Sequence, residues 1–490
     1  MGEHLTPLDA TFLELEQADE SAHMHIGAIM VFDPPADGSL PTHEDFCRSL
    51  ADRLELLPRY SQRLSSPHTG GLSWPEWIPD PSFSVKRHVT RAALPGPGGE
   101  DELQAWASGF YSQRLDRHRP LWEMVIVEGL QGGRWALATK THHCMVDGVG
   151  AVDVGHLLLD TTPEIPELRT AGPPRITGPG RAEAARGEGA SRDQRGALGR
   201  LAHAWEGLVP SETIAHAAQM GAHGVMHPRE ALRSARSAVE MIMREELRAA
   251  PRTSFNEPIG TLRRFEVVRV PLQDMRAVKN ALGGTINDVA LTITASGLRA
   301  LLSARNEPLP ERGLRAMVPM NVRLASEHLA LGNKVSSMFI ELPVLEADTV
   351  RRYAQTVANS RALKADGRQA QGTTAVIELA GLAPPLIHAT VAQALYAKRL
   401  FNLTITNVPG PQQTLYSFAS PLREIHPLVP LAAEHAVGVA VLSYDGNVFF
   451  GVVADPDAVP DLDVMLTAMA ESAACLCEAA ASEGAHAAKP

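Results

Sequence analysis

Two adjacent histidines, His142 and His143, stand ahead of Asp147 and Gly148 in the run His142-His143-Cys144-Met145-Val146-Asp147-Gly148. The residues before them, from Arg134, read as a buried strand, so the pair sits at a strand end. Side chains alternate across a strand, so one ring can face a cavity while the other is locked into the fold. Neutral imidazole suits the removal of a proton from an alcohol, because its pKa lies near working pH. His143 is the candidate base. Asp147 is expected to fix the turn that aims it, by pairing with an arginine elsewhere; Arg323 is the candidate partner. Gly148 permits a tight backbone, and the N-terminus of a helix over Val149 to Leu159 can stabilise negative charge. The pair alone is equally compatible with buried, satisfied histidines. A zinc site would need a third ligand and usually histidines four apart on a helix, which are absent here, so no metal is expected. Cys144 could be taken for a nucleophile beside a histidine. Its place inside the motif points to packing.

The elements that must position this pair follow from pattern. Met24 to Phe32 is an apolar run closed by Asp33-Pro34-Pro35, a buried strand with a turn. Thr42 caps a helix running to Leu56. Phe83 to Val89 alternates like a strand, Leu103 to Leu115 is helical, and Trp122 to Glu128 and Arg134 to His142 are strands joined at Gln131-Gly132-Gly133. Pro163 to Arg200 is rich in Pro, Gly, Arg and Ala and reads as a linker, and Leu201 to Arg248 as helical. Strands are expected at Phe265 to Val270, Arg315 to Pro319, Val335 to Leu342, Leu403 to Val408, Val437 to Tyr444 and Val448 to Ala454. Helices are expected at Thr285 to Leu302 and Asp461 to Ala480, and two buried helices within Thr373 to Ala397.

A chain of 490 residues is too long for one ordinary core. The expected division is 1–162 with the His-His motif, 163–255 as linker and helical segment, and 256–490 as a second domain, all of α/β (α+β) class. The net charge of -11 argues against broad nucleic-acid binding, while leaving room for a local basic patch that receives one phosphorylated ligand. Four cysteines without metal spacing indicate reduced thiols and a cytoplasmic setting. The N-terminus lacks a signal-peptide pattern, and no run of 18 apolar residues predicts a spanning helix. Pro228 to Arg248 winds Arg229, Arg233, Arg236, Arg244 and Arg248 to one side and Leu232, Val239 and Ile242 to the other. Such a helix either packs on the core or rests reversibly on an anionic lipid surface.

Other blocks have bland readings of their own. Asp116 to Glu123 reads as a helix end, a Pro120 break and a strand start. Asn287-Asp288 can cap a helix, or Asn287 can help hold an oxyanion. Asn407-Val408-Pro409-Gly410-Pro411 is a rigid turn that can also line a substrate channel. Together with Pro7-Leu8-Asp9, Phe12-Leu13, Pro120-Leu121-Trp122-Glu123, the His142 to Gly148 motif and Ser443-Tyr444-Asp445-Gly446, these blocks carry a resemblance. In order and over nearly the whole chain, they resemble the bacterial wax ester synthase/diacylglycerol acyltransferase family. Cys144 stands where that family commonly has alanine, and Thr406 where it has serine.

The resemblance implies two chloramphenicol-acetyltransferase-like domains with a channel between them. Acyl-CoA would be a substrate, with no cofactor, and diacylglycerol or a long-chain alcohol the acceptor. His142, His143, Asp147 and Gly148 form the implied catalytic set, and Asn287, Asp288 and Asn407 the substrate-binding or oxyanion candidates. The enzyme would work at a membrane or lipid-droplet surface without spanning it. Two rivals stand beside this: a condensation-type acyltransferase of secondary metabolism, and a non-catalytic lipid-binding relative.

Overall fold

A computed structural model describes residues 3–65, 74–146, 155, 158–164, 250–321, 335–366 and 400–487. Asp147, Gly148, Arg323, the arginine-bearing segment from Arg229 to Arg248 and the apolar stretch from Thr373 to Ala397 lie outside the described residues, as does most of the linker.

The strands, in chain order, are β1 (Glu3–His4), β2 (His25–Phe32), β3 (Gln62–Leu64), β4 (Glu76–Pro79), β5 (Val89–Ala93), β6 (Trp122–Glu128), β7 (Trp135–His142), β8 (Arg264–Pro271), β9 (Leu314–Asn321), β10 (Val335–Leu342), β11 (Leu403–Pro409), β12 (Tyr416–Ser417), β13 (Ser420–Leu428), β14 (Val437–Tyr444) and β15 (Asn447–Ala454). The helices are α1 (Pro7–Ala18), α2 (His43–Leu54), α3 (Glu100–Tyr111), α4 (Leu272–Leu282), α5 (Ile286–Ala304), α6 (Thr349–Asp366) and α7 (Leu462–Ala487). Two six-stranded mixed sheets dominate, in the orders β12-β13-β2-β7-β6-β5 and β10-β9-β11-β14-β15-β8.

The apolar runs form the expected strands because both faces are covered. Val437–Val441 and Val448–Ala454 are buried throughout, as strands with packing on two sides must be. Phe83 to Val89 departs from expectation. Val85–Arg87 is a 3₁₀ turn, and the strand begins only at Val89, where pairing to Met124 of β6 becomes available.

Helix α5 is buried along most of its length, from Asp288 to Leu298, which explains its apolar sequence. Thr285 and Asp288 form a capping box at its start, satisfying donors that would otherwise be buried unpaired. Gly297 lets α7 cross closely: a β-carbon there would meet the Met465 carbonyl at 2.8 Å. Over Leu462–Glu483, α7 is long and apolar enough to cross a membrane by length and composition. In the structure it packs on α5 and α4, with Leu462, Met465, Met469 and Leu476 fully buried.

Strand β13 comes from the segment assigned to the second domain, yet it pairs with β2 in the first sheet, Leu428 opposite Gly27 and Ile425 opposite Met30. It also lies against the second sheet. Tyr444 donates its hydroxyl to the Leu422 carbonyl at 3.1 Å, and Val429 packs where Gly438 leaves room. A division at 162 and 256 therefore does not describe the sheets strand for strand. Pro421 and Pro427 hid this strand in the sequence. They are tolerated because only the two-residue β12 lies outside β13 in the sheet.

Candidate active site

Strand β7 ends at His142, which is level with His25 of β2. The backbone N–H of His142 donates to the Leu121 carbonyl at 2.9 Å, and that of His143 to the Met24 carbonyl at 2.8 Å. The chain is thus pinned on both sides at the point where the two side chains diverge.

His142 is fully buried. Its Nδ1 accepts the Cys144 backbone N–H at 3.1 Å. A backbone N–H can only donate, so a neutral His142 carries its proton on Nε2. That atom lies 3.3 Å from Oε2 of Glu16, which is 2% exposed. The other Glu16 oxygen is 3.4 Å from Nε2 of His25, and Arg114 stands 3.7 Å from Oε2. Burial alone would raise the Glu16 pKa, but hydrogen bonding to His142 and His25 outweighs it and holds the carboxyl well below the usual range. Burial pushes His25 down to about 3. Burial, aided by Arg263, pushes His23 down to about 4. Near neutral pH Glu16 is therefore a carboxylate with neutral His23 and His25 nearby.

His143 has different surroundings. Its ring stacks on Phe12 with centroids 3.9 Å apart and planes 13° from parallel. Phe12 belongs to a small apolar cluster with Leu15, Ala22, Met24 and Ala432, separate from the main core. His143 is half-buried, so it has an apolar wall without being sealed in. Cys144 is fully buried, and burial pushes its thiol well above its ordinary value. A thiol so placed is no thiolate nucleophile, and its role is packing, as expected.

Asn287 and Asn407 come together: Nδ2 of Asn407 donates to Oδ1 of Asn287 at 3.1 Å. Both line a cleft of about 550 Å³ floored by Leu272, Val318 and Met338. They keep their candidacy as substrate-binding or oxyanion residues. Asp288 is not in the cleft wall. It is 2% exposed and accepts from the Thr285 backbone N–H and hydroxyl, both at 2.8 Å, so it serves the helix cap.

The Pro120 to Glu123 block is structural support, as read from the sequence. Trp122 is buried and donates its indole N–H to the Tyr60 carbonyl at 2.7 Å. Lys140 is also fully buried. It donates to the Phe110 and Gln113 carbonyls at 2.9 and 2.8 Å, tying the end of α3 to β7.

Sequence reasoning missed Glu16, His25 and Arg114. One signal was present: Glu16 falls four residues after Phe12 on the apolar side of α1, where a carboxylate needs a buried partner.

Residues 5–290 match the family model of the wax ester synthase/diacylglycerol acyltransferase catalytic domain, and residues 331–476 that of the WS/DGAT C-terminal domain. The Mycobacterium tuberculosis protein named "Probable diacyglycerol O-acyltransferase tgs1" is 34% identical over 459 residues, covering 94% of this chain and 92% of its own. Another from that organism, tgs2, is 32% identical over 477 residues, covering 96% and 97%. Among solved structures, the wax ester synthase/diacylglycerol acyltransferase of Marinobacter aquaeolei VT8 superposes with a TM-score of 0.65 at 26% identity, covering 98% of this chain and 100% of that one. The starter condensation domain of rhizomide synthetase RzmA, solved with C8-CoA and Leu-SNAC, has a TM-score of 0.58 at 14% identity, covering 98% and 94%, a likeness of fold alone. With the motif blocks in place along a chain that both family models cover, this protein belongs to the wax ester synthase/diacylglycerol acyltransferase family and is an acyl-CoA-dependent O-acyltransferase.

Proposed function

We propose that His143 is the general base for acyl transfer from a long-chain acyl-CoA to the hydroxyl of diacylglycerol or a long-chain alcohol. The observation that carries this is the contrast between the two histidines. Cys144 holds Nδ1 of the fully buried His142 and Glu16 stands 3.3 Å from its Nε2, whereas His143 lies half-buried on the apolar face of Phe12. An apolar wall favours an aliphatic acceptor, and a neutral imidazole is the form a base requires.

In this reading His143 takes the hydroxyl proton as the oxygen attacks the thioester carbonyl. The tetrahedral intermediate collapses with cleavage of the C–S bond, and the departing thiolate recovers the proton from the imidazolium. The products are ester and free coenzyme A, and no cofactor enters the balance. Asp147 and Gly148 complete the catalytic set in this reading. Asn287 and Asn407 bind substrate or help hold the oxyanion. The protein works in the cytoplasm, touching lipid surfaces reversibly to reach its acceptor.

The test is purified protein with palmitoyl-CoA, offered diolein or hexadecanol, with free coenzyme A measured by a thiol reagent. Release that depends on either alcohol and is lost in a folded His143→Ala protein is the expected result. Near-normal turnover in that variant would remove His143 from the role.

A further inference from the structure

Arg63 of β3, Arg87, His118 and Arg119 converge on an open pocket of about 370 Å³, with His88 and Asp80 in its wall. Its charge is lopsided in a chain that is acidic as a whole. Asp80 is the one carboxylate in the lining, and its Oδ1 already accepts the Ser82 N–H at 2.9 Å. Among the described residues, two of the guanidiniums reach only backbone oxygens: Arg63 the Leu64 carbonyl at 3.5 Å, and Arg87 the Ser82 carbonyl at 3.4 Å. Arg119 pairs with Asp116 at 3.0 Å, but both side chains are more than 40% exposed. Such a pair is worth little and gives way readily to a better anion. His88 is held in one tautomer, because its Nδ1 faces the Trp122 carbonyl at 2.8 Å and must donate there. Three planar cations around an open pocket suit a doubly charged oxyanion, which guanidinium groups bind two-pronged.

The pocket's place in the fold narrows the ligand. The carbonyl of Leu121 accepts the His142 N–H, and Trp122 pairs with Thr141, so Arg119 sits two residues from the strand end that presents His143. Two residues span at most about 7 Å, which puts the Arg119 backbone within roughly 10 Å of the His142 backbone, next to the base. The pantetheine arm of coenzyme A has about 13 bonds between its sulfur and its first phosphorus. At three bonds per extended residue that is roughly 15 Å. A thioester held at His143 thus brings its phosphates into this pocket's range.

We propose that Arg63, Arg87 and Arg119 form the site that receives the phosphates of the donor's nucleotide. The proposal rests on the reading that the thioester reacts at His143.

The experiment compares two donors, palmitoyl-CoA and the palmitoyl thioester of N-acetylcysteamine, which lacks the nucleotide. Each is offered to the wild type and to an Arg63→Gln/Arg119→Gln double variant. The ratio of kcat/KM for palmitoyl-CoA to kcat/KM for the short thioester should fall at least tenfold, the effect of losing one charge-assisted hydrogen bond. Titration with 3′,5′-ADP followed by calorimetry should show binding to the wild type and a weakening of similar size in the variant. Three outcomes would overturn the proposal. Equal loss with both donors would mean general damage. A ratio that falls only on replacing Arg276 and Lys364, the cations of the Asn287 cleft, would move the phosphates there. A silent 3′,5′-ADP titration, with phosphatidylglycerol vesicle binding lost in the double variant, would make this a lipid headgroup site. The titration needs no turnover, so it tests the pocket even if the assignment of His143 fails.

Discussion

Lowering the pH from 8 to 5 should destabilise the fold well before its carboxylates titrate. His23 and His25 are 3% and 2% exposed, and burial holds them neutral, with pKa values lowered from the ordinary 6.5 to about 4 and about 3. The sign follows from linkage: between pH 6.5 and 4 the unfolded chain binds protons that the folded one refuses, so stability falls as pH falls. At pH 5 each histidine contributes a loss of roughly 2 kcal/mol, set mainly by the unfolded pKa and requiring only that the folded values lie below 5. The pair together removes about 4 kcal/mol, a large share of the 5–15 kcal/mol typical of a folded protein. Burial lowers His88, His426 and His435 as well, which adds in the same direction. Glu14 and Glu266, raised by burial, oppose this, mainly as the pH nears the carboxylate range. Glu16 contributes later, because its depressed pKa sustains stability above the ordinary carboxylate range and loses it only at lower pH. The assay is urea unfolding followed by tryptophan fluorescence at pH 8, 6.5, 5.5 and 5. A midpoint constant down to pH 5 would show that His23 and His25 take up protons in the folded state and refute the reasoning.

Four further outcomes are expected. His143→Ala should reduce kcat by roughly 10²–10⁴ in a folded protein, whereas His142→Ala should lower the yield of folded protein, checked by gel filtration and melting. Glu16→Gln removes a buried charge that accepts from His142, so it should cost roughly 2–3 kcal/mol in chemical denaturation and reduce kcat; a variant as stable as wild type would dismiss the cluster. Cys144→Ala should keep turnover within a few-fold, and abolished activity with an intact fold would revive a covalent route. Replacing Arg229, Arg233 and Arg236 with glutamine should weaken binding to anionic vesicles and activity on dispersed diolein while sparing a short soluble alcohol; sedimentation indifferent to salt and substitution would make that helix ordinary packing.

Legibility in the sequence tracked how local the physics was. The strands around Val437 to Ala454 were readable because apolar runs bounded by turns have few other fates, and β10 and β14 begin and end at the expected residues. Thr42 announced its helix through a side chain that caps within three residues, whereas at α5 the sequence points to a cap at Asn287-Asp288 and the structure shows Thr285 paired with Asp288. Strand β13 was not readable. Its sequence Ser-Pro-Leu-Arg-Glu-Ile-His-Pro-Leu has no clean alternation, and its partner β2 lies almost 400 residues earlier in the chain. Its Glu424 and His426 have meaning only beside Arg269, which meets both. For the site, the strand end, the base candidate and the packing of Cys144 came from the motif itself. The meeting of Asn287 and Asn407 is a matter of tertiary packing, which residue types do not encode.

The two histidines show how one residue type is made to do two jobs one position apart. Both are pinned by backbone bonds to neighbouring segments, Leu121 on one side and Met24 on the other. What differs is where the rings go. His142 meets a carboxylate brought by α1, whose own charge survives burial because imidazoles and Arg114 surround it. His143 meets Phe12 from the same helix, one turn earlier. Helix α1 therefore supplies both environments, charge for the ring that must stay still and an apolar face for the ring that must stay neutral. A shift of α1 would disturb the two together, which is why Thr6 caps its start and Arg114 grips the carbonyl and carboxylate of Glu16 at its end. The reach of the base is set from α1 as much as from the strand that carries it.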